Sequence, residues 1–247
     1  MTAHRMRFLN TFVDNLTMRE ALEEIDHMIN ACRGAYVVTP NVDHLVIMEQ
    51  NELFQKIYEE ADLILTDGKP LIWISKLLKT PIKEKISGSD LFPLLTEMCA
   101  TKGYRMFFLG AAEGVAAQAA ENLRNKYSGL QVVGTYSPPY GFEKDAAEVE
   151  IVVDMITQAC PDVLIVGLGT PKQENFIYQY RDKLQVPVSL GLGASLDFEA
   201  GTVKRAPKWM SDHGLEWFYR MCKEPGRLAK RYFKDAVALI PLVLRYR

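Results

Sequence analysis

The stretch Val163-Leu164-Ile165-Val166-Gly167-Leu168-Gly169-Thr170-Pro171-Lys172-Gln173-Glu174 decides the fold. Four consecutive branched aliphatic residues read as a strand with both faces buried, as in a parallel sheet covered on each side. Two glycines then turn the chain, and Phe176, Ile177 and Tyr180 continue it at helical spacing. Strand, glycine turn and helix form the unit of an α/β domain, and the amides exposed at such a helix start suit a phosphate.

The same unit recurs on either side. Tyr36 to Thr39, Leu63 to Leu65, Arg105 to Leu109, Gln131 to Val133 and Val186 to Leu190 read as further strands. Between them Thr17 and Glu20 form a capping box ahead of Ala21, Ile25, Met28 and Ile29. Ser89 precedes Leu91, Leu94, Leu95 and Met98, with Gly103 as a stop, and Val149, Val152, Val153 and Ile156 mark another amphipathic helix. The alternation predicts a Rossmann-like, mainly parallel sheet with helices on both faces and a ligand crevice at the carboxyl ends of the strands.

Composition changes after Gly201. Residues 204–247 carry eleven Lys/Arg against four Asp/Glu, while the whole chain of 247 residues has a net charge of −2. The sequence therefore divides into an acidic α/β domain at 1–201 and a basic helical appendage at 202–247. That asymmetry points to an anionic partner such as a membrane surface. The apolar run Ala236 to Leu244 contains Pro241 and is too short to span a bilayer, so contact would be peripheral. The amino terminus lacks the apolar run of a signal peptide, and the four cysteines stand singly. A cytoplasmic protein at the inner membrane face is expected. No nucleic acid is expected as a partner, and homo-oligomerisation stays open.

Polar residues cluster at the strand ends. Thr39 and Asn41 follow the first strand, and Asp67 with Gly68 follows the second. Asn41 and Asp67 read equally as helix caps or as site residues. The turns at Gly110-Ala111, Gly167-Leu168-Gly169 and Gly191-Leu192-Gly193 are candidate phosphate binders. Neither Gly167-x-Gly169 nor Gly191-x-Gly193 completes GxGxxG, because Lys172 and Leu196 hold the last position. There is no pair of aspartates two apart, no histidine set at metal-ligand spacing and no Tyr-x-x-x-Lys at Tyr178 or Tyr180. Neither a metal nor a cofactor is expected. The competing classes are an NAD-dependent epimerase or dehydrogenase, which the missing motifs count against, and a non-catalytic nucleotide-binding subunit.

In order along residues 8–235, the motifs TPN, TDG, KISGSD, FFLGAAEGV, GLGTPKQE, GLGASLDFEAG, KRAPKW and GLEWFYR resemble the WecG/TagA/CpsF family of bacterial glycosyltransferases. The resemblance implies an inverting transfer from a UDP-sugar, with N-acetylmannosamine or its uronic acid as the sugar, to polyprenyl-diphosphate-linked N-acetylglucosamine. It also implies a Rossmann-type domain whose carboxy-terminal appendage helps membrane association. By position, Asp67 matches the general base, with Thr39 and Asn41 beside it and Gln173 on the opposite wall. Lys85, Arg220, Arg227 and Lys230 would meet diphosphate charge. Gly110, Ala111, Tyr136, Gly167, Gly169, Pro171, Lys172, Glu174, Gly193 and Asp197 complete the expected substrate-binding set. Lys85 stands where many members carry arginine, and the TDGxPL form is closer to the capsule and exopolysaccharide branch, which leaves another UDP-hexose as an alternative donor.

Overall fold

The computed structural model describes residues 4–246 apart from 33, 208, 211, 212 and 224, with the backbone alone at Arg227. Its centre is a six-stranded sheet made of β3 (Ala35–Val38), β4 (Leu63–Ile64), β5 (Arg105–Gly110), β6 (Gln131–Tyr136), β7 (Val163–Gly167) and β8 (Val188–Gly191). The order is β4-β3-β8-β7-β5-β6, and every neighbouring pair is parallel. All six strands coincide with the apolar runs read from the sequence. An amino-terminal hairpin, β1 (Arg5–Phe8) with β2 (Thr11–Asp14), was not evident from those runs. Asp14 fastens it to the sheet edge, accepting from Arg5 at 2.8 Å and from the Ile64 amide at 2.8 Å.

Alternation along each strand fills two apolar layers. Tyr36, Val38, Ile64, Leu164 and Val166 point to one face, where α2 (Val42–Met48), α3 (Glu52–Glu59), α7 (Ala146–Ala159) and α8 (Lys172–Leu184) pack. Val37, Leu63, Val163, Ile165 and Leu190 point to the other, against α1 (Met18–Ala31), α5 (Gly88–Lys102), α6 (Val115–Lys126) and the short α9 (Ser195–Ala200). Each fully buried aliphatic side chain contributes about 1.5–3 kcal/mol, so both faces are needed to hold the sheet.

The caps follow the sequence closely. Thr17 and Glu20 bond reciprocally at the start of α1, and Gly103 ends α5 with φ 76°. The start of α5 differs: its N-cap is Ser87, not Ser89. Ser87 Oγ makes no cap bond because it donates to Asp90 Oδ2 at 2.6 Å. The helix α4 (Lys69–Leu77) opens directly after Gly68, which takes φ 96°. Beyond Gly201 the chain forms α10 (Glu216–Lys223) and α11 (Pro225–Arg245), and α11 lies along α2 at the carboxyl end of the sheet.

Candidate functional site

The loops after β4, β3, β8 and β7 enclose a cavity of about 740 Å³, and α10 and α11 form its remaining wall. These four strands are consecutive in the sheet, so their carboxyl ends open onto one crevice. Asp67 stands on the β4 side. Its amide donates to Pro40 O at 2.9 Å, which hangs the Asp67 turn from the loop after β3. Thr39 and Asn41 line the same wall. Asn41 is also the N-cap of α2, its Oδ1 accepting from His44 N at 3.3 Å, so cap and cavity position coincide.

Asp67 is partly open to the cavity, yet protein crowds its carboxyl. Burial pushes its pKa up to about 7; Lys85 and Arg220 act against that shift, while Glu216 and Asp90 add to it. A carboxylate at that value is partly ionised near neutrality and basic enough to take a proton. Lys85 is engaged already, donating to Asp90 Oδ2 at 2.7 Å. Asp90 also accepts from Arg205 Nη2 at 2.6 Å, and these donors overcome its burial to hold its pKa at about 2. Lys85, Asp90 and Arg205 thus form a clasp that fixes the irregular segment following α9 beside the cavity.

The facing wall contains a buried polar chain that links three strand-end loops. Tyr58 Oη lies 2.7 Å from His44 Nδ1, and His44 Nε2 lies 2.8 Å from Thr170 Oγ1. Thr170 Oγ1 donates to Glu174 Oε1 at 3.1 Å, as does Gln173 Nε2 at 2.9 Å. Gln173 Oε1 accepts from the Gly193 amide at 3.0 Å. Tyr58 is fully buried, and His44 is the one partner of its hydroxyl among the described residues. Its proton therefore points to Nδ1, which places the imidazole proton on Nε2 and turns every bond toward Glu174. Burial, helped by the charge of Arg231, drops the His44 pKa to about 3 and keeps the ring neutral. Glu174 is 2% exposed; burial lifts its pKa to about 7 against the hydrogen bonds it accepts. Gly191 makes the arrangement possible, since a Cβ there would meet Gln173 Nε2 at 3.0 Å.

Of the residues expected from sequence, the cavity gathers Asp67, Thr39, Asn41, Gln173, Lys85, Gly167, Gly169, Gly193, Asp197 and Arg220. It does not gather Gly110, Ala111, Tyr136, Pro171, Lys172, Glu174 or Lys230. Gly110 and Ala111 press on the back of the Gly167 turn, the Ala111 amide donating to Gly167 O at 2.8 Å. Tyr136 sits on the edge strand β6 and donates to Glu148 at 2.5 Å. Pro171 is the N-cap of α8. Lys172 turns outward to Glu143 at 2.6 Å and lies over the Tyr140 ring. Glu174 lies behind the wall in the polar chain, and Lys230 is exposed on α11. The Arg227 side chain lies outside the described residues.

Asp43, His44, Thr170, Arg231, Tyr232 and Asp235 line the cavity without having been singled out from sequence. His44 carried a faint signal, three residues after Asn41 in the first turn of a helix. The α11 residues carried none, because nothing local says which side of that helix meets the sheet. Among the described residues no three His, Cys, Asp or Glu side chains converge as a metal site.

The model of the Glycosyl transferase WecG/TagA/CpsF family matches residues 6–247. The chain is similar to the N-acetylglucosaminyldiphosphoundecaprenol N-acetyl-beta-D-mannosaminyltransferase of Bacillus spizizenii, 38% identical over 195 residues, covering 79% of this chain and 74% of that one. The Bacillus subtilis protein of the same name is 33% identical over 227 residues, 92% of this chain and 84% of its own length. A Staphylococcus aureus protein so named is 27% identical over 228 residues, 92% of this chain and 87% of its own. A parallel α/β sheet with a polar crevice at its strand ends, matched from residue 6 to the last residue by one family model, identifies the chain as a glycosyltransferase belonging to the WecG/TagA/CpsF family.

Proposed function

We propose that this glycosyltransferase moves N-acetylmannosamine from its UDP ester to N-acetylglucosamine carried on a polyprenyl diphosphate, by a single inverting displacement without a metal ion. The observation that carries the reading is Asp67, a crowded carboxyl on the cavity wall whose pKa of about 7 suits a base. In the step, the acceptor hydroxyl oxygen attacks the anomeric carbon while the bond from that carbon to the UDP oxygen breaks. The hydroxyl proton passes to Asp67, and UDP departs with the bonding electron pair. Arg220 and the amides at the Gly167 and Gly193 turns, all on the cavity wall, meet the diphosphate charge in this reading. The names of the relatives support this acceptor and this sugar.

The outer surface supports work at a lipid boundary. Phe233, Val237, Ile240 and Leu244 lie along one exposed face of α11, with Phe233 74% exposed, and α4 adds exposed Trp73 and Leu77. Lys76, Lys230 and Lys234 are exposed on the same two helices. No described helix is long and apolar enough to cross a membrane. An apolar stripe beside lysines fits peripheral docking to an anionic bilayer. Residues 202–247 then act as the docking appendage.

Mass analysis of the product from UDP-N-acetylmannosamine and a synthetic N-acetylglucosamine-diphosphate lipid tests the reaction. One added N-acetylhexosamine is expected; no product from this pair, with product from another UDP-hexose, overturns the choice of sugar. Replacing Lys230 and Lys234 by alanine is expected to weaken binding to anionic vesicles roughly thirtyfold, at about 1 kcal/mol per basic residue.

A further inference from the structure

The cavity-facing stripe of α11 holds a side chain out of keeping with its place. Leu228, Leu239 and Leu242 mark the inward side of the helix, and Leu228 and Leu242 are almost fully buried. Asp235 falls between them, 5% exposed, where the helical period calls for an apolar residue. Among the described residues no hydrogen bond reaches its carboxyl. Burial pushes its pKa up to about 6, the charge of Asp43 adds to this, and Arg231 and Lys234 act against it. Arg231 Nη1 reaches Asp43 on α2 at only 3.7 Å, and Arg231 Nε is buried without a partner. Asp43, Arg231, Tyr232 and Asp235 all line the cavity, and the Tyr232 ring meets that of Trp217, also on the wall, edge-on at 6.0 Å.

Polar atoms left unmet on a cavity wall are costly in the empty protein and are retained where a ligand satisfies them. Two carboxylates around one guanidinium disfavour an anion, so the diphosphate does not belong at this end. An uncharged molecule rich in hydroxyl and amide donors does, provided its C–H faces can lie against aromatic rings. A sugar ring has this chemistry.

We infer that the α2–α11 end of the cavity is a sugar subsite, in which Asp235 and Asp43 accept hydrogen bonds from a neutral hexosamine and Arg231 donates one to it. The inference rests on the transferase reading and extends it to residues that reading does not use. The sugar belongs either to the nucleotide donor or to the lipid-borne acceptor, and kinetics separate the two.

Asp235→Leu completes the apolar stripe, while Asp235→Asn keeps the shape and removes the charge. Donor KM, acceptor KM, the UDP dissociation constant and Tm are measured for both variants. Asp235→Leu is expected to melt no lower than the wild type, to bind UDP within about twofold, and to raise KM for one substrate about ten- to a hundredfold. A rise confined to the donor assigns the donor sugar, and one confined to the acceptor assigns the acceptor sugar. Unchanged KM values in every folded variant overturn the subsite, with Asp235→Asn deciding if Asp235→Leu does not fold. Should the wild type transfer nothing, the proposed reaction falls, and saturation-transfer NMR with N-acetylmannosamine and N-acetylglucosamine tests the subsite alone. A signal lost in the Asp235 variants keeps it; no signal, or one they share, overturns it.

Discussion

The turns after β5 and β7 read alike in sequence, Leu109-Gly110-Ala111 against Val166-Gly167-Leu168, but the fold gives them different surroundings. Gly167 faces the cavity, whereas Gly110 is sealed behind it: a Cβ on Gly110 would lie 2.6 Å from Gly167 O. Gly110 is needed for close approach of two backbones, with φ 105°, and Gly167 leaves one side of its turn open to a ligand. The contrast extends along the sheet. The ends of β4, β3, β8 and β7 carry Asp67, Thr39, Gly193 and Gln173 into one crevice, while Tyr136 on β6 is paired to Glu148 at the far edge. Strand order, more than the residues of any one turn, decides which glycine turn meets substrate.

Replacing Asp67 by asparagine tests the cavity half most severely. Turnover is expected to fall about 10²- to 10⁴-fold, the range a positioned base supplies, with UDP affinity within about twofold by calorimetric titration. Stability should move the other way. The folded pKa of about 7 lies above the ordinary aspartate value, so the native state holds a proton that the unfolded state has released. That stabilisation is present at low pH and lost as pH rises through about 7, where the buried charge appears. Asp67→Asn is thus expected to melt a few degrees above the wild type at pH 8, and equal melting there would contradict a crowded carboxyl.

The pH profile gives the next largest effect. With Asp67 as base, kcat should fall about tenfold per unit below pH 7. Glu174 titrates in the same range, burial being the cause, so Glu174→Gln separates the two. The acid limb should persist in that variant; its disappearance would move the base from Asp67 to Glu174.

Cutting the polar chain on the facing wall is a smaller perturbation. Thr170→Val keeps the side-chain volume and removes the link between His44 and Glu174, with an expected loss in kcat of roughly three- to tenfold. Hydrogen exchange at the Gly193 amide, which donates to Gln173, should quicken in the same variant. Unchanged exchange would mean that Gln173 is held without help from the chain. The smallest effects belong to side chains turned toward the far half of the sheet. Tyr136→Phe and Lys172→Ala should each leave turnover within about twofold, and a larger loss from either would break the contrast between the two halves.

Much of this was legible in the sequence because it follows from local patterns. Branched aliphatic runs predicted every strand of the main sheet, and the Thr17–Glu20 box and Gly103 placed helix ends correctly. The hairpin at residues 5–14 was missed because its strands, Arg5–Phe8 and Thr11–Asp14, hold only one branched aliphatic residue, Val13, and it is anchored by Asp14 to Ile64, fifty positions away. The site was half legible for the same reason. Asp67, Thr39 and Asn41 stand at strand ends that any parallel sheet would expose. Glu174 stands directly after Gln173, yet a helical step of about 100° turns one to the cavity and buries the other in the wall.

The sequence by itself determined a parallel α/β chain with a glycine turn and a polar residue at successive strand ends, since burial on two faces and turn sterics act over a few residues. Only the tertiary structure decided that β3 lies between β4 and β8, which brings Asp67 and Gln173 to one crevice, and that α11 closes it with Arg231 and Asp235. Apart from the β3–β4 pair, those contacts join residues more than a hundred positions apart, and they depend on which apolar faces bury one another, a matter for the whole chain.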